Sequence, residues 1–361
     1  MITKIIDSAK RKLWIKHDIH DIKVKLTQCE SKVTLTSSQI SDIDAFWRKI
    51  TGKSVPHYWH EYFYSRNGLF SEKYVPTCLY HSDIIFQLNY RPFANAYVDK
   101  NLYDIYFPDV LRPKTIIKNS NGFFSNGIKS ISKEEAFELC KDIEAAVIKP
   151  SLEGMWGRGV RVFSSSKGIV GEAETISQLL NSYNDNYIVQ EKICQHPNMA
   201  KLNPTSLNTL RILSFRKGTE VYIIYAVVRI GRKGKFIDNE TAGGINANVD
   251  LRNGCIDTYA YGTPKEKRMT TTDCGTVLKG FEIPSFFQVL DIVKNLHLRL
   301  PYFQLIGWDF GINEEGMPVM IEWNRAPDLS QTAHGPAFGE MTEEIFKEAY
   351  SHQDSYFIHL Y

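Results

Sequence analysis

The sequence predicts an α+β protein: antiparallel strands carry the site, and a helical region precedes them. Three observations predict this. Leu305 to Asn324 reads as a β-hairpin, with Gly307 to Ile312 as one arm, Asn313-Glu-Glu-Gly316 as the turn and Pro318 to Trp323 as the other arm. Asn208 to Phe215 and Val221 to Ile230 form an antiparallel pair joined at Lys217-Gly218, and the second arm is almost wholly apolar, as in a buried sheet. Residues 1–75 show helical rather than alternating patterns.

The bulk properties set limits. A chain of 361 residues buries a sizeable core and holds two or three subdomains. Its net charge of +2 implies no polyanionic partner. Basic residues are scattered, with no face that alternates them with stacking aromatics, which argues against a nucleic-acid partner. The six cysteines form no C-x-x-C, so reduced thiols in a cytoplasmic protein are the simplest reading. The first residues lack the apolar core of a signal peptide, and no run reaches the ~18 apolar residues of a membrane span.

In order along the chain, Ile2, Ile5, Ile6, Ala9 and Leu13 mark a first helix, with Lys4, Lys10, Arg11, Lys12 and Lys16 mostly on other faces. Packing on the main body is the simpler reading of this basic helix, and peripheral contact with an anionic membrane is the other. Thr36 to Asp44 opens a second helix that runs toward Lys49 and ends near Gly52. Asp83 to Tyr90 alternates in part. Asp99 is the expected N-cap of a short helix over 99–106. Pro113 to Lys118 reads as a strand, Ser120-Asn-Gly122 as a turn, and Ser132-Lys-Glu-Glu135 as a capping box starting a helix through about Ile143.

Ala145 to Ser151, Leu152 to Val160 and Arg161 to Phe163 read as strand, glycine-rich loop, strand. Gly154, Gly157 and Gly159 let the backbone approach a ligand, and successive N–H groups there can cradle phosphates beside Lys149 and Arg158. Tyr187 to Ile193 is a further strand, carrying Gln190 and Glu191 at its end. Thr241 to Asp250 reads as a loop over the site, Pro284 to Leu300 as an amphipathic helix, and 340–352 as a final helix.

The opening hairpin carries the chemistry. Its register pairs Phe310 with Ile321 and places Asp309 opposite Glu322, with Asn324 on the same face. At ~5 Å and an effective dielectric of ~20, two carboxylates repel by roughly 3 kcal/mol. A hard divalent cation with oxygen ligands offsets that, and Asp309, Glu322 and Asn324 suit magnesium.

The order of these features resembles the ATP-grasp superfamily over roughly residues 95–330. Within it the chain is most similar to the sugar-transfer associated ATP-grasp family, on Asn208-Thr-Leu-Arg211, Ala242-Gly-Gly244, Ile306-Gly-Trp-Asp309 and Ile321-Glu-Trp-Asn324. The resemblance implies two antiparallel-sheet subdomains clamping ATP. It implies four regions: a helical region over 1–75, a first α/β subdomain over 76–144, a glycine-loop nucleotide-binding subdomain over 145–205 and a catalytic, metal-binding subdomain over 206–361. Lys149 matches a lysine that reaches the phosphates. Lys100 matches the family's earlier lysine, with Lys114 as the alternative. Glu191, with the backbone of Lys192 and Ile193, matches the hinge that reads adenine. Asp309, Glu322 and Asn324 match the Mg2+ ligands. Arg211 and Asn208 fall near the phosphates or an acyl intermediate, and Arg325 near a substrate carboxylate.

Two positions depart from the superfamily pattern. Gly307 stands where many superfamily ligases carry arginine, so Arg211, Arg229 or Arg325 must supply the charge. No clear acid stands a few residues after Glu191 to hold the ribose, which leaves His196, Asn198 or a contact made elsewhere. The implied activity is an ATP-dependent carboxylate–amine ligase working through an acyl phosphate, in polysaccharide or cell-surface glycan biosynthesis. Its substrates would be a small carboxylate such as a sugar acid and an amine such as an amino acid. An ATP-grasp phosphotransferase and a non-catalytic ATP-sensing or scaffold protein are the alternatives.

Overall fold

A computed structural model describes residues 2–89, 94, 96–152, 159–235, 238 and 243–352, with the backbone alone for 2–10. It contains two antiparallel sheets. The first orders its seven strands β2-β1-β7-β3-β4-β5-β6. These are β1 (Thr115–Ser120), β2 (Phe123–Ser125), β3 (Ile143–Pro150), β4 (Arg161–Ser166), β5 (Ile169–Val170), β6 (Glu174–Thr175) and β7 (Tyr187–Glu191). The second orders six strands β11-β10-β9-β8-β12-β13. These are β8 (Thr209–Lys217), β9 (Glu220–Ile230), β10 (Ile245–Val249), β11 (Ile256–Tyr261), β12 (Leu305–Ile312) and β13 (Pro318–Asn324).

The first sheet packs one face on helices and the second packs both. Ile117, Ala146, Ile148 and Val189 of the first sheet pack with Ala136, Leu179 and Leu180 of two short helices. Leu210, Ile212, Ala226, Val228 and Ala247 of the second pack on the helix Phe286–His297, through Phe286, Val289 and Val293. The opposite face of the second sheet is divided. Leu213, Phe215, Tyr225 and Leu305 lie under the N-terminal helical region, and the charged residues described below occupy the rest.

That N-terminal region forms as its signals predict. The helix Ser37–Thr51 carries a Thr36 capping box and stops at Gly52 in the left-handed conformation. The Ser132 capping box is present too, but its helix ends at Leu139. The remainder of the expected helix is needed for β3, which begins at Ile143. The stretch Thr77–Leu88, where part of the sequence alternates, is helical. It buries Tyr80, Ile84, Ile85 and Leu88 on several sides, so alternation there reports burial rather than an extended strand.

The expected loop over 241–250 is corrected. Ile245–Val249 is β10, laddered between β9 and β11. Its apolar positions Ile245, Ala247 and Val249 alternate with Asn246 and Asn248, a strand pattern that asparagine disguises as loop chemistry. Thr241 and Ala242 lie outside the described residues.

Candidate functional site

The site is built on three adjacent strands. Asp309 in β12 faces Glu322 in β13, as its hairpin register predicts. The pairing of Phe310 with Ile321 does not hold: Phe310 pairs with Met320. The ladder shifts between Asp309 and Phe310, and this bulge brings the two carboxylates into line. The turn closes with the Gly316 amide donating to Asn313 O at 3.0 Å and the Met317 amide donating to Asn313 Oδ1 at 2.7 Å.

On the other side of Asp309 lies β8, which places Arg211 directly opposite. Arg211 Nε donates to Asp309 Oδ1 at 2.6 Å and Nη2 donates to Oδ2 at 2.8 Å. Arg229 reaches Oδ1 at 3.4 Å from β9, and Asn324 Nδ2 donates to Oδ2 at 3.2 Å. Lys100 Nζ lies 3.4 Å from Glu322 Oε2. The repulsion expected between the carboxylates is thus met by protein cations. Burial alone would raise the Asp309 pKa, but Arg211 and then Arg229 outweigh it and hold the carboxyl at about 2. The donor set still fits a hard cation, because the lone pairs that Asp309, Glu322 and the Asn324 carboxamide can lend a metal are all on oxygen.

The first sheet faces this row across a cleft. Lys149 and Lys118 stand on either side of Ile188, each paired to it, so both project from one face. Burial lowers the Lys149 pKa to about 8, with Lys100 adding to the effect against Glu322 and Asp309. The sign follows from proton binding. The unfolded lysine holds its proton to higher pH, so between pH 8 and 10.5 stability rises with pH. Below pH 8 the buried charge costs stability in full. Lys149→Met should therefore raise the urea midpoint at pH 7 while weakening binding of a polyphosphate, with the stability gain shrinking above pH 8.

Lys100 rather than Lys114 reaches the carboxylates: Lys114 is exposed and pairs with Glu191 at 2.8 Å. Lys118, which sequence reasoning missed, donates to Asp104 at 2.6 Å and to Asn101 O at 2.7 Å. A pocket between the sheets is lined by Lys100, Asp104, Lys118, Gln190, Met320 and Ile321. β7 ends at Glu191, and the chain then crosses to the second sheet, where the His196 amide donates to Ile312 O at 2.9 Å. Lys192 and Ile193 lie in this crossing, with the Lys192 amide donating to Ala145 O at 3.2 Å. Gly159 adopts a φ of +74°, and a Cβ there would lie 3.0 Å from Pro150. Gly154, Gly157 and Arg158 lie outside the described residues.

Asn208 does not join the carboxylates. It lies three positions before Arg211, an odd offset, so on an extended strand the two point to opposite faces. Its Nδ2 donates to Gln195 Oε1, Met199 O and Asn203 O at 2.8–3.0 Å, which clamps the chain entering β8. His196 and Asn198 are also engaged in structure: His196 Nδ1 accepts from the Asn198 amide at 3.0 Å, and Asn198 Nδ2 donates to Glu282 O at 3.1 Å. Arg325 follows the hairpin, half-buried, and its carbonyl accepts from Asn89 Nδ2 at 2.5 Å. A second residue absent from the sequence reading is Asp238. Its Oδ2 accepts from Thr209 Oγ1 at 2.5 Å, and burial pushes the carboxyl up to about 6.

The profile of the sugar-transfer associated ATP-grasp family matches residues 81–345, well over half of the chain. The protein belongs to that family. Among solved structures this ATP-grasp chain is similar to D-alanyl-alanine synthetase A from Vibrio cholerae, at 13% identity and a TM-score of 0.40 over 75% of this chain and 69% of that one. It is also similar to the biotin carboxylase of Campylobacter jejuni, at 12% identity and a TM-score of 0.42 over 70% and 46%. The ATP-grasp ligase PsnB gives 13% and 0.39 over 71% and 62%, so the chain spans less than two thirds of that relative. Likeness at this level leaves activity open. No curated protein matches the sequence.

Proposed function

We propose that this ATP-grasp protein is an ADP-forming carboxylate–amine ligase. The observation that carries the reading is the row Arg211–Asp309–Glu322 facing Lys100 and Lys149 across the cleft between the two sheets. Cations converge there on a carboxylate pair that suits Mg2+, beside the pocket lined by Lys100, Lys118 and Gln190. In this reading Asp309, Glu322 and Asn324 hold Mg2+. When bound, the cation neutralises phosphate oxygens and aligns the transfer. Lys100, Lys149 and the loop of Gly154, Gly157 and Gly159 hold the phosphates, while Gln190, Glu191, Lys192 and Ile193 seat the adenine.

Residues 76–144 and 145–205 then contribute jointly to nucleotide binding, and 206–361 supplies the reaction centre. A substrate carboxylate, itself a poor electrophile, takes the γ-phosphoryl group of ATP. Arg211 and Arg229 stabilise the charge on the transferring group and on the acyl phosphate. An amine attacks the acyl carbon, the C–O bond to phosphate breaks, and an amide, ADP and phosphate leave. The glycan setting and a sugar-acid substrate rest on the family name alone, and a cytoplasmic location on reduced thiols: all six cysteines are free.

Hydroxylamine tests the chemistry before the amine is known. With a panel of sugar acids and ATP, the protein should yield a hydroxamate, ADP and free phosphate. Formation of AMP and pyrophosphate would rule out the acyl phosphate. Phosphate retained on the acceptor would make the protein a phosphotransferase.

A further inference from the structure

We propose that the N-terminal helix rests this protein on an anionic phospholipid surface, through an apolar stripe whose described members, Leu13 and Val24, are exposed. The helix is continuous over Ile2–Gln28, about 40 Å. At about 100° per residue its apolar positions fall into two sectors. Ile15, Ile19, Ile22 and Leu26 lie within roughly 60° of one another, and this stripe packs on the core that holds Trp59, Cys78 and Leu79. By the same periodicity, Ile2, Ile5, Ile6, Ala9 and Leu13 form a second stripe, turned from the first by roughly 120°. Val24 falls in that second sector. Its described members are exposed, Leu13 at 66% and Val24 at 38%. A stripe meant for the body would continue the first sector, and this one leaves it.

Charge identifies the occupant. Residues 2–16 carry five basic side chains against the single acid Asp7. Arg11 is occupied with Asp83. Lys12 and Lys16 are exposed, and helical periodicity sets Lys12 along one border of the second stripe, Lys10 along the other, and Lys16 one turn beyond Lys12, just inside the same edge. Long basic side chains flanking a straight apolar line can reach lipid phosphates while the line enters the acyl boundary. The helix is too charged to span: among the described residues no helix is long and apolar enough to cross a membrane. The ligand is therefore a surface with acidic headgroups above an apolar layer.

Flotation of the full chain tests this, with vesicles of phosphatidylcholine alone and of phosphatidylcholine mixed with phosphatidylglycerol. The protein should float with the mixed vesicles only, and less at high salt. Lys12→Glu/Lys16→Glu should lower the partition coefficient at least ten-fold. Leu13→Asp should lower it too without shifting the thermal midpoint, because Leu13 is exposed. No binding to either vesicle, or binding indifferent to both variants, overturns the proposal. So does a dimer that Leu13→Asp dissolves in a protein that ignores vesicles, which would give the stripe to a second copy of the chain.

Discussion

Arg211→Leu should destabilise the protein by about 3–5 kcal/mol, because it leaves Asp309 buried without its main counter-charge. Both partners are enclosed, with side chains 5% and 4% exposed. Arg229 remains, but at 3.4 Å and through one nitrogen. Urea unfolding would measure the loss as a shift in midpoint at constant slope. The double variant Arg211→Leu/Asp309→Leu should recover most of it, since two apolar groups leave no buried charge behind. It should recover no activity. The divergence would separate the stability of the pair from its chemistry. Equal stability of wild type and Arg211→Leu would show that Asp309 is not held as described.

Gly307→Ala should cost about 1–3 kcal/mol, with most of the activity. A Cβ built on Gly307 would lie 2.5 Å from Pro327 Cβ and 3.4 Å from Arg211 Cδ. Both neighbours matter. Pro327 belongs to the segment after the hairpin, where its carbonyl accepts from Tyr80 Oη at 2.8 Å. Arg211 crosses over Gly307 to reach Asp309. The small residue at 307 is thereby explained: Pro327 takes the space a side chain would need, and the guanidinium arrives instead from the neighbouring strand with Arg211. Pro327→Gly should relieve much of the strain in the double variant, seen as partial return of the unfolding midpoint.

The hairpin was legible in the sequence because its signals are local: a turn of Asn, Glu and Gly between apolar arms. The same locality fixed Asp309 against Glu322, although the bulge that aligns them left no mark. Arg211 could be named but not placed, since β8 pairs with β12 across about a hundred residues and no spacing rule reaches that far. Asn208 misled for the opposite reason. It sits in one short motif with Arg211, yet strand alternation turns the two apart. Lys118 looked like any strand lysine until β7 set it beside Lys149. Asp238 has no periodic context, and only its hydrogen bonds to Thr209 in the folded protein reveal it. β10 was hidden by its asparagines, which face the charged side of the sheet and so resemble turn residues.

Binding of ATP through Mg2+ at the carboxylate row is open to direct measurement. Glu322 is a cleaner probe of this than Asp309. Its side chain is 25% exposed and Lys100 is its ion-pair partner, whereas Asp309 also anchors Arg211. The measurement is calorimetric titration of ATP into wild type and Glu322→Gln, each with and without magnesium. Wild type should bind ATP in a magnesium-dependent manner, and Glu322→Gln should lose the magnesium dependence along with at least ten-fold in affinity while keeping its unfolding midpoint. Binding that is identical in the two proteins, with or without magnesium, would contradict the account and leave the row as a structural ion pair.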